Sequence, residues 1–114
     1  MMIKYIDPIK TIINIFEKKY PNQECTVEFV IGMHKSSKAY GETVWNNEGT
    51  FIQIDCETPM VGVVEVLAHE LAHVVAGFDN GHNHVWKKEF NDIHKKYNEF
   101  MEKILGEEDE QIQH

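Results

Sequence analysis

The chain has 114 residues, enough for one domain with a modest core and too few for a second. Its formal net charge is −8, half of it carried by Glu107, Glu108, Asp109 and Glu110, so there is no basic face to attract nucleic acid. No apolar run approaches membrane-spanning length, and Lys4, Asp7, Lys10, Glu17, Lys18 and Lys19 interrupt anything resembling a signal peptide. Cys25 and Cys56 form no C-x-x-C pair and read as isolated thiols, which favours a cytoplasmic setting.

In chain order, Asp7-Pro8 is a helix start, since Asp can cap and Pro is tolerated at the first helical position. Ile9, Ile12, Ile13 and Phe16 mark one face of a helix that stops near Tyr20-Pro21. Cys25 to Ile31 alternates, with Val27, Phe29 and Ile31 on one side, and predicts a half-buried strand. Gly32 to Lys38 reads as a polar loop. Ala39–Trp45 and Thr50–Asp55 predict two further strands, joined by the four residues Asn46 to Gly49 as a hairpin loop.

Thr58-Pro59 then opens a helix expected over Met60–Ala76, with Gly77 as its stop because a helix end often needs positive φ. A last helix from about Asn83 to Leu105 carries Trp86, Phe90, Ile93, Tyr97 and Ile104 on one stripe, and Gly106 ends it. The order α-β-β-β-α-α predicts a small α+β domain over residues 1–106, built on a three-stranded, mainly antiparallel sheet. Residues 107–114 read as an acidic tail.

The first of the two C-terminal helices carries His69-Glu70-Leu71-Ala72-His73, an H-E-x-x-H pentapeptide. Histidines four apart stack on one helix face and can reach a single zinc ion, with the intervening glutamate facing the metal's water. Val63, Val64, Val66, Leu67, Leu71, Val74 and Val75 make the surrounding helix strongly apolar. Polar side chains in such a helix are costly to bury without partners, and a metal supplies one. His82 follows nine residues after His73 and would complete three protein ligands, leaving a position for water. His84 is the alternative third ligand; Asp79 fits a ligand placed after a sharp helix break, and Glu89 and Asp92 fit an acidic ligand on the last helix, although both also read as solvated surface.

The hairpin, the H-E-L-A-H helix, the Gly-rich turn and the Gly81-His82 to Trp86 segment resemble the SprT-like zinc metallopeptidases and the minimal zincins around them, over roughly Ala39 to Phe90. Where that family commonly has glycine after the third histidine, this chain has Asn83. The resemblance implies a zincin-like fold, zinc held by His69, His73 and His82, and Glu70 as general base in peptide hydrolysis. It also implies a protein or peptide substrate laid against the strand before the motif helix, where Tyr40 and Trp45 sit. Two other functions are compatible with the residues: a non-catalytic zinc module with a closed site using both His82 and His84, and a zinc-dependent hydrolase of another bond, such as a ribonuclease.

Other residues invite weaker readings. Trp86 is expected to anchor the last helix near the site. Asp79 or Glu65 is expected to orient a ligand histidine, as metal sites usually require. His34 reads as a surface histidine with oxyanion stabilisation as its functional alternative, and His94 and His114 read as solvated. A monomer is expected.

Overall fold

The computed structural model describes residues 1–109. Four helices and a three-stranded mixed sheet form an α+β domain: α1 (Pro8–Lys19), β1 (Thr26–Val30), α2 (Met33–Ser37), β2 (Gly41–Asn46), β3 (Gly49–Asp55), α3 (Met60–Ala76), a 3-10 turn (Phe78–Asn80) and α4 (His84–Asp109).

Asp7 caps α1 as its sequence requires, its carboxylate accepting from the N–H groups of Ile9 and Lys10 at 2.9 and 3.3 Å. The sheet runs in the order β1-β3-β2. The hairpin β2–β3 is antiparallel and pairs Asn46 with Gly49, so its turn is only Asn47 and Glu48, two residues rather than the expected four. The Asn46 side chain holds that turn by accepting from the Glu48 N–H at 2.8 Å. β3 then lies between β2 and β1 and pairs with β1 in parallel, Val27 opposite Ile52 and Phe29 opposite Ile54. One of the two pairings is therefore parallel, because the hairpin brings β3 back in the direction of β1.

Central β3 contributes Ile52 and Ile54 to the core, both fully buried. Edge strand β1 contributes less. Val27 packs against the core, but Phe29 and Ile31 stay 46% and 86% exposed, because an edge strand is flanked on one side only. Residues 33–37, expected as loop, form the short helix α2. Too short to show a period in sequence, it is held by tertiary contacts: Met33 is buried, and Asp55 accepts the His34 N–H at 2.7 Å and the Glu57 N–H at 2.8 Å. The first of these bonds, then the second, holds the Asp55 carboxyl below the ordinary carboxylate range.

α3 is the central element. It packs on the sheet and on both α1 and α4, which is why its sequence is apolar nearly all round. Ile12 and Phe16 of α1, Leu67, Ala68 and Leu71 of α3, and Ile93 of α4 close the core with the two β3 isoleucines. Complete burial of each Leu or Ile contributes about 1.5–3 kcal/mol. α4 does not stop at Gly106 but continues to Asp109. The remainder of the expected acidic tail, including His114, lies outside the described residues. Cys25 and Cys56 are free thiols. Among the described residues, no helix is long and apolar enough to cross a membrane.

Candidate metal centre

His69 and His73 project from one face of α3, one turn apart. The helix ends where expected: Gly77 adopts φ 88°, and its N–H bonds to the His73 carbonyl at 2.9 Å. The chain then makes the 3-10 turn, passes through Gly81 at φ 51° and delivers His82 back toward α3. The Asn80 amide donates to the Ala76 carbonyl and ties this turn to the end of the helix.

The three imidazoles converge through their Nε2 atoms. His69 to His73 is 3.3 Å, His69 to His82 is 3.1 Å and His73 to His82 is 3.0 Å. Three nitrogens bound at about 2.0–2.1 Å to a tetrahedral zinc lie roughly 3.3 Å apart, so the cluster has the dimensions of a zinc site. Its electrostatics agree. Burial, followed by the neighbouring His69 and His82, pushes His73 down to about 4, and burial and His82 lower His69 as well. At neutral pH both rings are uncharged and offer lone pairs, the state a metal requires.

Glu70 lies beside this triad and is only 6% exposed. Its Oε1 accepts from the Thr43 hydroxyl at 2.8 Å, while Oε2 lies 4.0 Å from His69 Nε2. Burial pushes the carboxyl above its ordinary range, the Thr43 hydrogen bond opposes that shift, and the charge of Glu42 adds to it. Glu70 is thus a carboxylate tied to β2 by one oxygen, with the other near the histidines.

α4 starts beside the site. Asn83, at the position where glycine is common in the resembling family, caps the helix: its Oδ1 accepts from the N–H groups of Val85 and Trp86 at 3.0 and 3.4 Å. Trp86 packs its ring 4.7 Å from the His82 ring and donates its indole N–H to the His69 main-chain carbonyl. It is the expected anchor.

The structure groups His82, not His84, with His69 and His73. His84 is exposed in the first turn of α4, and Asp79 is exposed in the 3-10 turn. Glu89 and Asp92 are neither ligands nor simply solvated surface. Lys19 of α1 bonds both, and the Tyr20 hydroxyl donates to Glu89 at 2.6 Å. Neither Asp79 nor Glu65 hydrogen-bonds a clustered histidine among the described residues, although the charge of Glu65 acts on His69. His34 is half-buried and stacks on Tyr40, with ring centroids 4.0 Å apart. His94, also half-buried, stacks on Phe90.

Sequence reasoning missed three contributors. Thr43 fixes Glu70. Gly41 permits β2 to approach α3, since a Cβ there would lie 2.6 Å from Val66 Cγ1 and 3.4 Å from the Glu70 carboxylate. Phe78 meets Trp45 edge-on at 5.6 Å beside His82. None belongs to a short motif; alternation along β2, which places Gly41, Thr43 and Trp45 on one face, is the available signal for the first two, and Phe78, in the 3-10 turn, has none.

Two cavities flank His69 and Glu70 along β2. One, of about 360 Å³, is bounded by Trp45, Phe78 and His82, and the other, of about 430 Å³, by Tyr40, Val66 and Phe90. A larger cavity, about 590 Å³, lies between α1 and the starts of β1 and β3 and shares none of the three histidines. No family model, curated protein or solved structure matches this chain.

Proposed function

We propose that this chain is a zinc-dependent metallopeptidase of the minimal zincin type, as its resemblance to the SprT-like family implies. The observation that carries the reading is the convergence of three Nε2 atoms within 3.0–3.3 Å beside the buried carboxylate of Glu70. His69, His73 and His82 would hold the ion. When bound, zinc supplies a Lewis acid and brings the pKa of water to about 7, giving a nucleophile at neutral pH.

The residues of the chain do the rest. Glu70 accepts the proton of the attacking water at its free oxygen and passes it to the departing amine. Thr43 keeps the other oxygen in place, so the carboxylate does not swing away between the two transfers. β2 is an edge strand beside the histidines, and an extended peptide can pair with its main chain. Folded segments cannot adopt that pose, which directs the activity toward unfolded or disordered polypeptide. The free thiols suit a reducing compartment, and we take the reaction to be cytoplasmic.

A closed, non-catalytic site finds no support in His84, which stays outside the cluster. The deciding experiment combines zinc analysis with digestion of an unfolded protein. The expected outcome is one zinc per chain, cleavage by the wild type, and retained zinc with lost cleavage in Glu70→Gln. Equal activity in wild type and Glu70→Gln would overturn the reading.

A further inference from the structure

Gly62, the third residue of α3, is not explained by the fold. Glycine weakens a helix relative to alanine, so it is usually retained where the backbone is left-handed or where another group packs too close for a Cβ. Neither holds here. Gly62 has no positive φ, and a Cβ built on it would meet nothing nearer than Thr58 Cγ2 at 3.9 Å, an ordinary contact. Gly41 is the contrast, since its missing Cβ is demanded by Val66 at 2.6 Å.

What lies beside Gly62 is the cavity of about 430 Å³ that opens onto His69 and Glu70. Tyr40, Pro59, Val66 and Phe90 give it a predominantly apolar wall, Thr58 and Glu65 also line it, and its size falls within the range of about 300–1,000 Å³ seen for ligand pockets. Gly62 lines it without a side chain, so any substitution there projects into the cavity rather than into packed protein.

We propose that this cavity is a side-chain subsite and that Gly62 sets its depth, so that it takes a large apolar residue of the substrate next to the cleaved bond. The proposal rests on the peptidase reading. The specificity follows from area: a Phe or Leu side chain buries far more apolar surface against Tyr40, Pro59, Val66 and Phe90 than Ala does. A leucine at position 62 would occupy the same space and reverse that preference.

Two measurements test it. Cleavage-site mapping on an unfolded, carboxymethylated protein should show Phe, Leu or Met enriched about tenfold at one position flanking the cut for the zinc-loaded wild type. In Gly62→Leu that enrichment should fall below about twofold, with small residues taking the position. Binding is then measured on metal-free protein by fluorescence anisotropy, with labelled hexapeptides carrying Phe or Ala at one central position. The Phe peptide should bind about tenfold more tightly, and Gly62→Leu should abolish the difference. Gly62→Ala, which should unfold at an equal or higher temperature than wild type, shows that the site tolerates a Cβ. An unchanged preference in Gly62→Leu, or equal binding of the two peptides by wild type, overturns the proposal. Selective binding without cleavage would sink the peptidase reading and leave the subsite standing.

Discussion

Trp86 Nε1 donates to the main-chain carbonyl of His69 at 3.0 Å, a bond between the start of α4 and the middle of α3. Its ring also lies 4.7 Å from both the His69 and His82 rings. One side chain therefore fixes the backbone of the first histidine and the ring of the third. Trp86→Phe preserves much of the packing and removes the donor. It is expected to cost about 0.5–1.5 kcal/mol in urea unfolding and about tenfold in zinc affinity by chelator competition. Unaltered zinc affinity would show that α4 does not help to hold the triad.

The close approach of β2 to α3 depends on Gly41. Gly41→Ala places a methyl 2.6 Å from Val66 Cγ1 and crowds the Glu70 carboxylate, so either the strand or the glutamate must shift. Overpacking of this kind costs about 1–3 kcal/mol. Zinc content is expected to survive, while turnover falls at least tenfold, because the disturbed group is the proposed base rather than a proposed ligand. Val66→Ala removes the opposing methyl and should restore part of the activity in the double variant. Absence of any rescue would place the effect elsewhere.

His73 is held down at about 4 and His69 is also lowered, against 6.5 for a free histidine. A folded value below the unfolded one means that the unfolded chain binds protons first. The associated stability is complete above pH 6.5 and is lost as the pH falls toward 4. Metal-free protein should therefore show a falling urea midpoint across that window. Carboxylates with lowered values, such as Asp55 and Asp92, act below it, while Glu70, raised by burial, takes up its proton more readily when folded and offsets part of the loss toward the lower end of the window. His73→Leu should flatten the upper part of the curve. Added zinc should raise the midpoint at pH 7 and progressively less at lower pH, because protons compete for the same nitrogens. A wild-type midpoint constant between pH 7 and 5 would contradict this account.

The parts of the molecule legible in sequence are those governed by local rules. Asp7-Pro8, the bounds of α3 and the Gly77 stop follow from capping and positive φ, and His69, Glu70 and His73 share a helix face by spacing alone. The turn geometry that selects His82 over His84 depends on the 3-10 turn and on Asn83 as a cap, neither of which has a period. The parallel β1–β3 pairing and the exposure of Phe29 depend on which strand ends at the edge, a property of the whole sheet. Gly106 fails as a stop because glycine permits a helix end without enforcing one. Glu89 is the plainest case. On α4 it looks like solvent-facing charge, and only the arrival of α1, 70 residues away in sequence, gives it Lys19 as a partner.

That partnership is testable. Lys19 bridges Glu89 and Asp92, and the Tyr20 hydroxyl completes the bonding of Glu89, whose side chain is 11% exposed. Burial works against the Lys19 ammonium, but the bonds to Asp92 and Glu89 outweigh it and raise its pKa above the ordinary lysine value. Lys19→Met retains the apolar stem and leaves Glu89 with Tyr20 alone. The expected loss is about 2 kcal/mol in urea unfolding, the scale of a charged hydrogen bond removed from a mostly buried acceptor. Glu89→Gln added to Lys19→Met removes the stranded charge and should recover about half of that loss. Zinc affinity should not move in either variant, since the network shares no residue with the three histidines. An unfolding midpoint unchanged by Lys19→Met would mean that Glu89 is as solvated as its sequence suggests, and that α1 is held to α4 by apolar contact alone.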